Sequence, residues 1–372
     1  MKILVIQFRK IGDVIATSVI FNELREKFPD SELHYLVDSN TEAVLLNNPM
    51  IDKIILFDQS LKKSIRYFRF HLLNVRKAKY DVVIDIYSKN SSALISMFSK
   101  AKIKISYRKW YSSFAYSHTI ERAKYPYSEM KLAIENRLSL LSPILHLRKD
   151  KIIQPKIYLD SSETEKALGK LRNHGLVASK PVFMISALGS ESLKSYPIKY
   201  LAEILDYVTD NFDCYLLLNY LNCQKTQIEE LIAICTDRTI NAIIKEIYSE
   251  NLTQFLALTK NCKVLIGNEG GTINMAKAIG IPTFSIYSPW ILKEAWNSFE
   301  ISGENASVHL ADYRPDLFIK HPKFYKKDAL ELYEFFYPKL FYSKLKQFLI
   351  NNGQKLRIDD TNDTINNPLL IN

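Results

Sequence analysis

The 372 residues exceed what one hydrophobic core ordinarily serves, and predict two domains followed by a tail. With 47% apolar and 24% charged residues, and no apolar run near the roughly 18 residues that span a bilayer, the chain reads as ordinary globular protein, not as a membrane-spanning or disordered one. A net charge of +10 favours partners that carry phosphate, anionic lipid or nucleic acid, without choosing among them.

Taken in chain order, Lys2–Gln7 is too short for a signal-peptide core and lacks a cleavage site, so it reads as a first strand of a cytoplasmic protein. Gly12–Phe28 follows as a helix, with Val14, Ile15, Val19, Ile20 and Leu24 at helical spacing and Pro29 ending it. Further strands are expected at Glu32–Val37, Lys53–Phe57, Asp81–Ile86 and Lys102–Ser106, which gives the alternation of a parallel sheet with crossover helices. The irregular stretch Tyr107–Tyr127 leads to a helix near Ser128–Leu145, and Gln154–Leu159 reads as a returning strand. After a linker near 147–165 and a polar helix at Ser161–Asn173, strands recur at Val182–Ser186, Cys214–Asn219, Lys263–Ile266 and Thr283–Tyr287. Helices at Pro197–Thr209, Gln227–Thr236, Asn251–Thr259 and Thr272–Ile279 separate them. The fold class expected is therefore α/β, with two Rossmann-like doubly wound domains, residues 1–155 and 160–325, facing a cleft that is the default ligand site. A helical, aromatic-rich segment at 326–350 and a polar tail at 351–372, expected to be disordered, complete the chain.

Cys214, Cys223, Cys235 and Cys262 have no C-x-x-C spacing and read as reduced, buried thiols; the seven histidines form no H-x-x-x-H pair. The acidic pairs are equally uninformative, since Asp359-Asp360 falls in the tail and Asp81 and Asp85 in one strand. Neither a protein-held metal nor a cofactor is expected.

Gly12 is the only glycine among the first 168 residues, so the first strand–helix turn lacks the G-x-G-x-x-G fingerprint of a dinucleotide enzyme and an oxidoreductase reading loses its main support. In its place stands a basic loop, Arg9-Lys10, then Gly12-Asp13. Asp13 reads either as a first-turn acid that complements the helix dipole or as a general base at the carboxyl end of a strand. In the second half, the turn Gly189-Ser190-Glu191-Ser192-Leu193-Lys194 offers hydroxyls, amides and an ammonium to a phosphate, or is an ordinary polar loop. Asn268-Glu269-Gly270-Gly271-Thr272-Ile273-Asn274 enters a small-residue helix whose N-terminus suits a diphosphate; a tight turn without a ligand is the alternative. Ser60–Tyr80 holds seven basic residues and no acid. It reads as a solvated helix face or, interleaved with Tyr67, Phe68 and Phe70, as a surface for anionic headgroups, and Tyr107–Tyr111 has the same two readings. No nucleic-acid-binding module is present in the sequence and no nucleic-acid partner is expected.

The basic loop with Gly12-Asp13, the Ser/Lys turn and the Gly267–Ala278 segment together resemble glycosyltransferase family 9, the ADP-heptose:lipopolysaccharide heptosyltransferases, over about residues 1–310. The resemblance implies GT-B architecture, inversion at the anomeric centre without metal, and a donor held mostly by the C-terminal domain. It makes Asp13 the base that deprotonates the acceptor hydroxyl, beside Arg9, Lys10 and Gly12, and places Gly189, Ser190, Ser192 and Lys194 at the donor diphosphate. Asn268, Glu269, Gly270, Gly271, Thr272 and Asn274 would complete the donor site. The partners implied are a nucleotide-diphosphate sugar, ADP-heptose foremost, and a lipopolysaccharide or other glycolipid acceptor, with an anionic membrane surface nearby. The chain departs from the family pattern where Gly270 replaces a hydroxylic residue and Asn274 a histidine, and where Ser288-Pro289-Trp290 through Trp296 puts aromatic bulk in place of a small turn. A different nucleotide sugar, or a family member that binds without turnover, are the readings these departures leave open.

Overall fold

The computed structural model describes residues 1–148, 150–176, 180–301 and 303–357. The N-terminal half runs β1 (Lys2–Gln7), α1 (Ile11–Lys27), β2 (Glu32–Asp38), β3 (Lys53–Phe57), α2 (Ile65–Lys77), β4 (Val82–Asp85), α3 (Asn90–Phe98), β5 (Ile103–Tyr107), β6 (His118–Ile120) and α4 (Lys131–Ser139). The C-terminal half continues with α5 (Ser161–Asn173), β7 (Val182–Ser186), α6 (Ile198–Asn211), β8 (Tyr215–Asn219), α7 (Lys225–Ala233), α8 (Asp237–Ala242), α9 (Leu252–Lys260) and β9 (Val264–Asn268). It ends with α10 (Gly271–Ala278), β10 (Thr283–Ile286), β11 (Asn305–Val308), α11 (Ala329–Tyr333) and α12 (Tyr342–Asn351).

Two parallel sheets result, ordered β3-β2-β1-β4-β5-β6 and β11-β10-β9-β7-β8. The first is the doubly wound dinucleotide-fold order, and the second, counted from β7, is the flavodoxin-like order. Strands buried on both faces must be apolar at every position, which is why β1 reads Ile-Leu-Val-Ile and not as an alternation. Likewise α1 is apolar nearly all round, because it lies between its own sheet and the second half of the chain. Helices α2 and α3 cover the opposite face of the first sheet through Val75 and Ile95. One core runs from α1 and α4 into α9 and α10, so the two sheets share buried apolar surface.

In doubly wound sheets ligands bind outside the carboxyl ends of the strands where the order reverses. Those reversals fall between β1 and β4 and between β7 and β9, and the structure turns them toward each other: a Cβ on Gly271 would lie 3.6 Å from Ile11 Cβ.

Three expectations are corrected. Gln154–Leu159 is extended but pairs with no strand; its Ile157 amide donates to the Ala278 carbonyl at 2.9 Å, so it is a strap along the end of α10. Residues 351–357 of the expected disordered tail are ordered: Leu356 bridges antiparallel to Phe212, and Arg357 pairs with Asp213 at 3.0 Å. The rest of that tail, 358–372, lies outside the described residues. Cys223 is exposed, unlike the three other cysteines. Among the described residues no helix is long and apolar enough to cross a membrane.

Candidate active site

The β1–α1 loop delivers Arg9 and Lys10 to the carboxyl edge of the first sheet, and Asp13 sits in the first turn of α1. Its amide donates to the Lys10 carbonyl at 2.9 Å, so the carboxylate is a first-turn acid and makes no side-chain cap. Asp13 Oδ1 accepts from Arg137 Nη2 of α4 at 2.5 Å. Arg137 is fixed in turn: Nε donates to Thr17 Oγ1 at 2.9 Å, Nη1 to the Ala133 carbonyl, and the guanidinium lies 5.7 Å from the Trp296 ring centre. One carboxylate oxygen is thus held by a buried cation, while the side chain keeps 19% exposure toward the cleft.

Cations surround this carboxylate. Arg122 stacks 3.9 Å from the centre of the Tyr107 ring, and its pKa is lowered by burial first and then by the charges of Arg137 and Arg9. Lys109 donates to the Ser88 carbonyl at 2.5 Å; burial, followed by Arg122 and Lys89, brings its pKa down to about 8. Tyr107, Arg108, Lys109, Glu121 and Arg122 line an open depression here. Asp85, fully buried at the end of β4 and within the influence of the Lys109 charge, accepts from the Ser88 amide at 2.8 Å and from Tyr116 Oη at 2.5 Å, and burial raises its pKa to about 6.

Across the cleft, the loop after β7 closes on itself. A Cβ on Gly189 would lie 2.5 Å from the Lys194 carbonyl, so only glycine permits this turn. Gly270, at φ +150°, is the residue before α10 and aims the amides of that helix into the cleft. Lys194 Nζ lies 3.3 Å from Glu269 Oε1 and 5.3 Å from the Trp290 ring centre; the Trp290 indole is anchored by donating to the Leu193 carbonyl at 3.0 Å. Glu191 joins the two halves: its carboxylate lies 3.3 Å from Lys10 Nζ and 3.7 Å from Lys326 Nζ.

The structure therefore brings Arg9, Lys10, Gly12 and Asp13 opposite Gly189, Ser190, Lys194, Gly270, Gly271 and Asn274. Lys10 Nζ is 3.5 Å from Ser190 Oγ, and Asn274 approaches Gly12 so closely that a Cβ there would lie 2.9 Å from Asn274 Nδ2. Other expected residues do not present their side chains to the cleft. Asn268 is a buried strut: Oδ1 accepts from the Tyr196 amide at 2.6 Å and Nδ2 donates to the Ala187 and Ser186 carbonyls, which sets the loop after β7 against β9 and occupies the side chain. The Thr272 hydroxyl is bonded to that of Ser186 at 2.8 Å, whereas Ser192, at the start of a 3-10 turn, is exposed. Sequence reasoning missed Arg122 and Arg137. A signal for Arg137 existed: in Leu132-Ala-Ile-Glu-Asn-Arg-Leu138 it falls on the face marked by Ile134, Leu138 and Leu141, and a lone cation on an apolar face needs an anion.

The sequence profile of glycosyltransferase family 9 (heptosyltransferase) matches residues 69–294, more than half of the chain. Lipopolysaccharide heptosyltransferase 1 of Campylobacter coli is 26% identical over 296 residues, covering 77% of this chain and 84% of that one. Among solved structures, the glycosyl transferase family 9 protein of Veillonella parvula superposes with a TM-score of 0.71 at 16% identity, over 90% of this chain and 97% of that chain. The E. coli ADP-heptose lps heptosyltransferase II gives 0.66 at 16% identity, over 90% and 99%. With two parallel α/β sheets facing one cleft and a family match across both, the chain belongs to glycosyltransferase family 9, the heptosyltransferases, and is a glycosyltransferase of GT-B architecture.

Proposed function

We propose that the protein is an inverting transferase of lipopolysaccharide assembly that moves a heptose from ADP-heptose to a hydroxyl of a phosphorylated or carboxylated glycolipid. The observation that carries this reading is Asp13, held through one oxygen by Arg137 at the carboxyl end of β1 and facing the N-terminus of α10 across the cleft. A carboxylate so placed accepts the proton of an acceptor hydroxyl as that oxygen attacks the anomeric carbon, and the bond from that carbon to the diphosphate breaks on the opposite side. Lys194 and the α10 amides meet the charge that develops on the departing diphosphate. The depression lined by Arg108, Lys109, Arg122 and Glu121, in which Glu121 occupies Arg108 at 2.7 Å and leaves Lys109 and Arg122 as the available cations, suits an anionic group on the acceptor. The donor and acceptor proposed are those named for the relatives, which bear on this chain through the shared family.

The test is thermal unfolding in the presence of ADP, UDP, GDP, CMP or NAD, because a ligand that binds the native state raises its Tm. ADP alone is expected to stabilise the protein. A preference for UDP or GDP would keep the family chemistry and replace the donor, and a response to none of them would remove the transferase reading in favour of a member that has lost donor binding.

A further inference from the structure

Charge is distributed very unevenly along this chain. Residues 59–120 contain thirteen Lys and Arg against two acids, Asp81 and Asp85, a net charge of +11 in a chain whose total is +10, so the remaining residues sum to −1. Neither acid offsets the cations on the outer face: Asp85 is fully buried, and Asp81 accepts from the Lys2 amide at 2.7 Å at the far end of the sheet. This basic segment folds as α2, α3 and the β5–β6 loop, which lie side by side on the face of the first sheet turned away from the C-terminal half.

The same face exposes apolar side chains. On α2, Ile65 is 84% exposed and Phe70 58%; α3 adds Met97 and Phe98, and the β5–β6 loop adds Trp110 at 94% and Phe114 at 78%. Solvent-facing aliphatic and aromatic groups ringed by lysines and arginines fit a layer with a charged surface above an apolar interior, since the basic stems reach headgroups while the apolar tips pass beneath them. A nucleic-acid surface draws most of its contacts from phosphate and polar groups, so the density of exposed apolar side chains here favours lipid. Trp110 and Phe114 also sit in the same loop as Lys109, beside the depression assigned to the acceptor's anionic group.

We propose that the α2–α3 face and the Trp110–Phe114 loop dock this protein on an anionic lipid bilayer. The proposal rests on the glycolipid reading of the acceptor, whose headgroup would then enter the depression directly from the membrane. It stands apart from donor chemistry, because none of the docking residues lies in the nucleotide half.

The experiment is flotation of the full chain with phosphatidylcholine vesicles containing none or about a third phosphatidylglycerol, at low and high salt. Binding is expected only to the anionic vesicles, to weaken with salt, and to shift the tryptophan emission of Trp110 to the blue. Arg66→Gln with Arg69→Gln is expected to weaken it by roughly 25-fold, at about fivefold per cation. Trp110→Ser with Phe70→Ser is expected to remove the salt-resistant part. Each variant's melting temperature, and its stabilisation by ADP, shows that it is folded and that the donor site is intact. Absence of binding to anionic vesicles, binding that both variants leave unchanged, or equal loss of a duplex RNA probe in the arginine variant would overturn the proposal, the last in favour of a nucleic-acid surface. Failure of the ADP response alone would strike the donor reading and leave this one standing.

Discussion

The two oxygens of Asp13 have different duties. Oδ1 is taken by Arg137, and no side-chain hydrogen bond among the described residues engages Oδ2, in a side chain that keeps 19% exposure. Asp13→Asn preserves the shape and an acceptor for Arg137 but cannot take up a proton at that position. It is expected to lower kcat by about 10² to 10⁴, with ADP affinity by calorimetry nearly unchanged; parallel loss of both would demote Asp13 to a structural acid. Arg137→Met then separates orientation from chemistry. Because the cation also binds Thr17 and Ala133, this variant should lose stability, on the order of 3 kcal/mol for a broken buried pair. Its folded fraction should show reduced kcat with donor KM unchanged and partial rescue in Arg137→Lys, whereas a rise in donor KM would mean that Arg137 serves the C-terminal half through Trp296. Asp13 was visible in sequence because it follows a strand and a lone glycine. Arg137 lies 124 residues away, and only the packing of α4 on α1 makes them neighbours.

At the scale of elements, β4 ends in a carboxylate that the protein buries. Ser88 sits at φ +52° so that its amide can reach Asp85, and Tyr116 reaches the same carboxylate from the segment that leads into β6. Burial raises the folded pKa to about 6 from an ordinary 3.8, so the native state binds a proton that the unfolded chain releases between those values. Stability from this group is therefore present at low pH and lost as pH rises through about 4 to 6. Asp85→Asn removes that dependence. The unfolding free energy of the variant relative to the parent, from urea titrations at about pH 4.5 and 7.5, should shift in the variant's favour by about 2 kcal/mol as pH rises; a flat or opposite trend would show that the hydrogen bonds outweigh burial. The same region shows where sequence patterns stop informing. The central strands were legible because continuous apolar runs bounded by turns have few other uses. β6, with three residues, pairs only at the sheet edge, and α3 combines a buried serine row with exposed Leu94, Met97 and Phe98, which inverts the usual pattern. Gln154–Leu159 has strand composition, yet α10 meets it where a strand partner would be needed. Asn268 read as a ligand because it stands beside glycines, but its polar side chain was needed to join two backbone segments.

Across the whole molecule the two halves meet through charge as well as through the shared apolar core. Glu191, in the loop after β7, binds Lys10 from the first half and Lys326 from the segment after β11, while Glu269 binds Lys194. A diphosphate that uses these lysines competes with two carboxylates, and Glu191 is the one whose partners come from both sides of the cleft. Its pairs are exposed, so each contributes little to folding. Their effect on an incoming dianion is larger in relative terms, because removing one negative charge both frees two ammonium groups and relieves repulsion. Glu191→Gln is therefore expected to tighten ADP binding about fivefold by calorimetry at low salt, with melting temperature nearly constant, and Lys10→Ala to weaken it. Both changes should shrink in about 0.5 M salt, where the Debye length falls to roughly 4 Å and exposed charges interact more weakly. If Glu191→Gln instead weakens ADP binding, the carboxylate holds Lys10 and Lys326 in place for the phosphates, and closure of the cleft is then organised by this ion pair and not opposed by it.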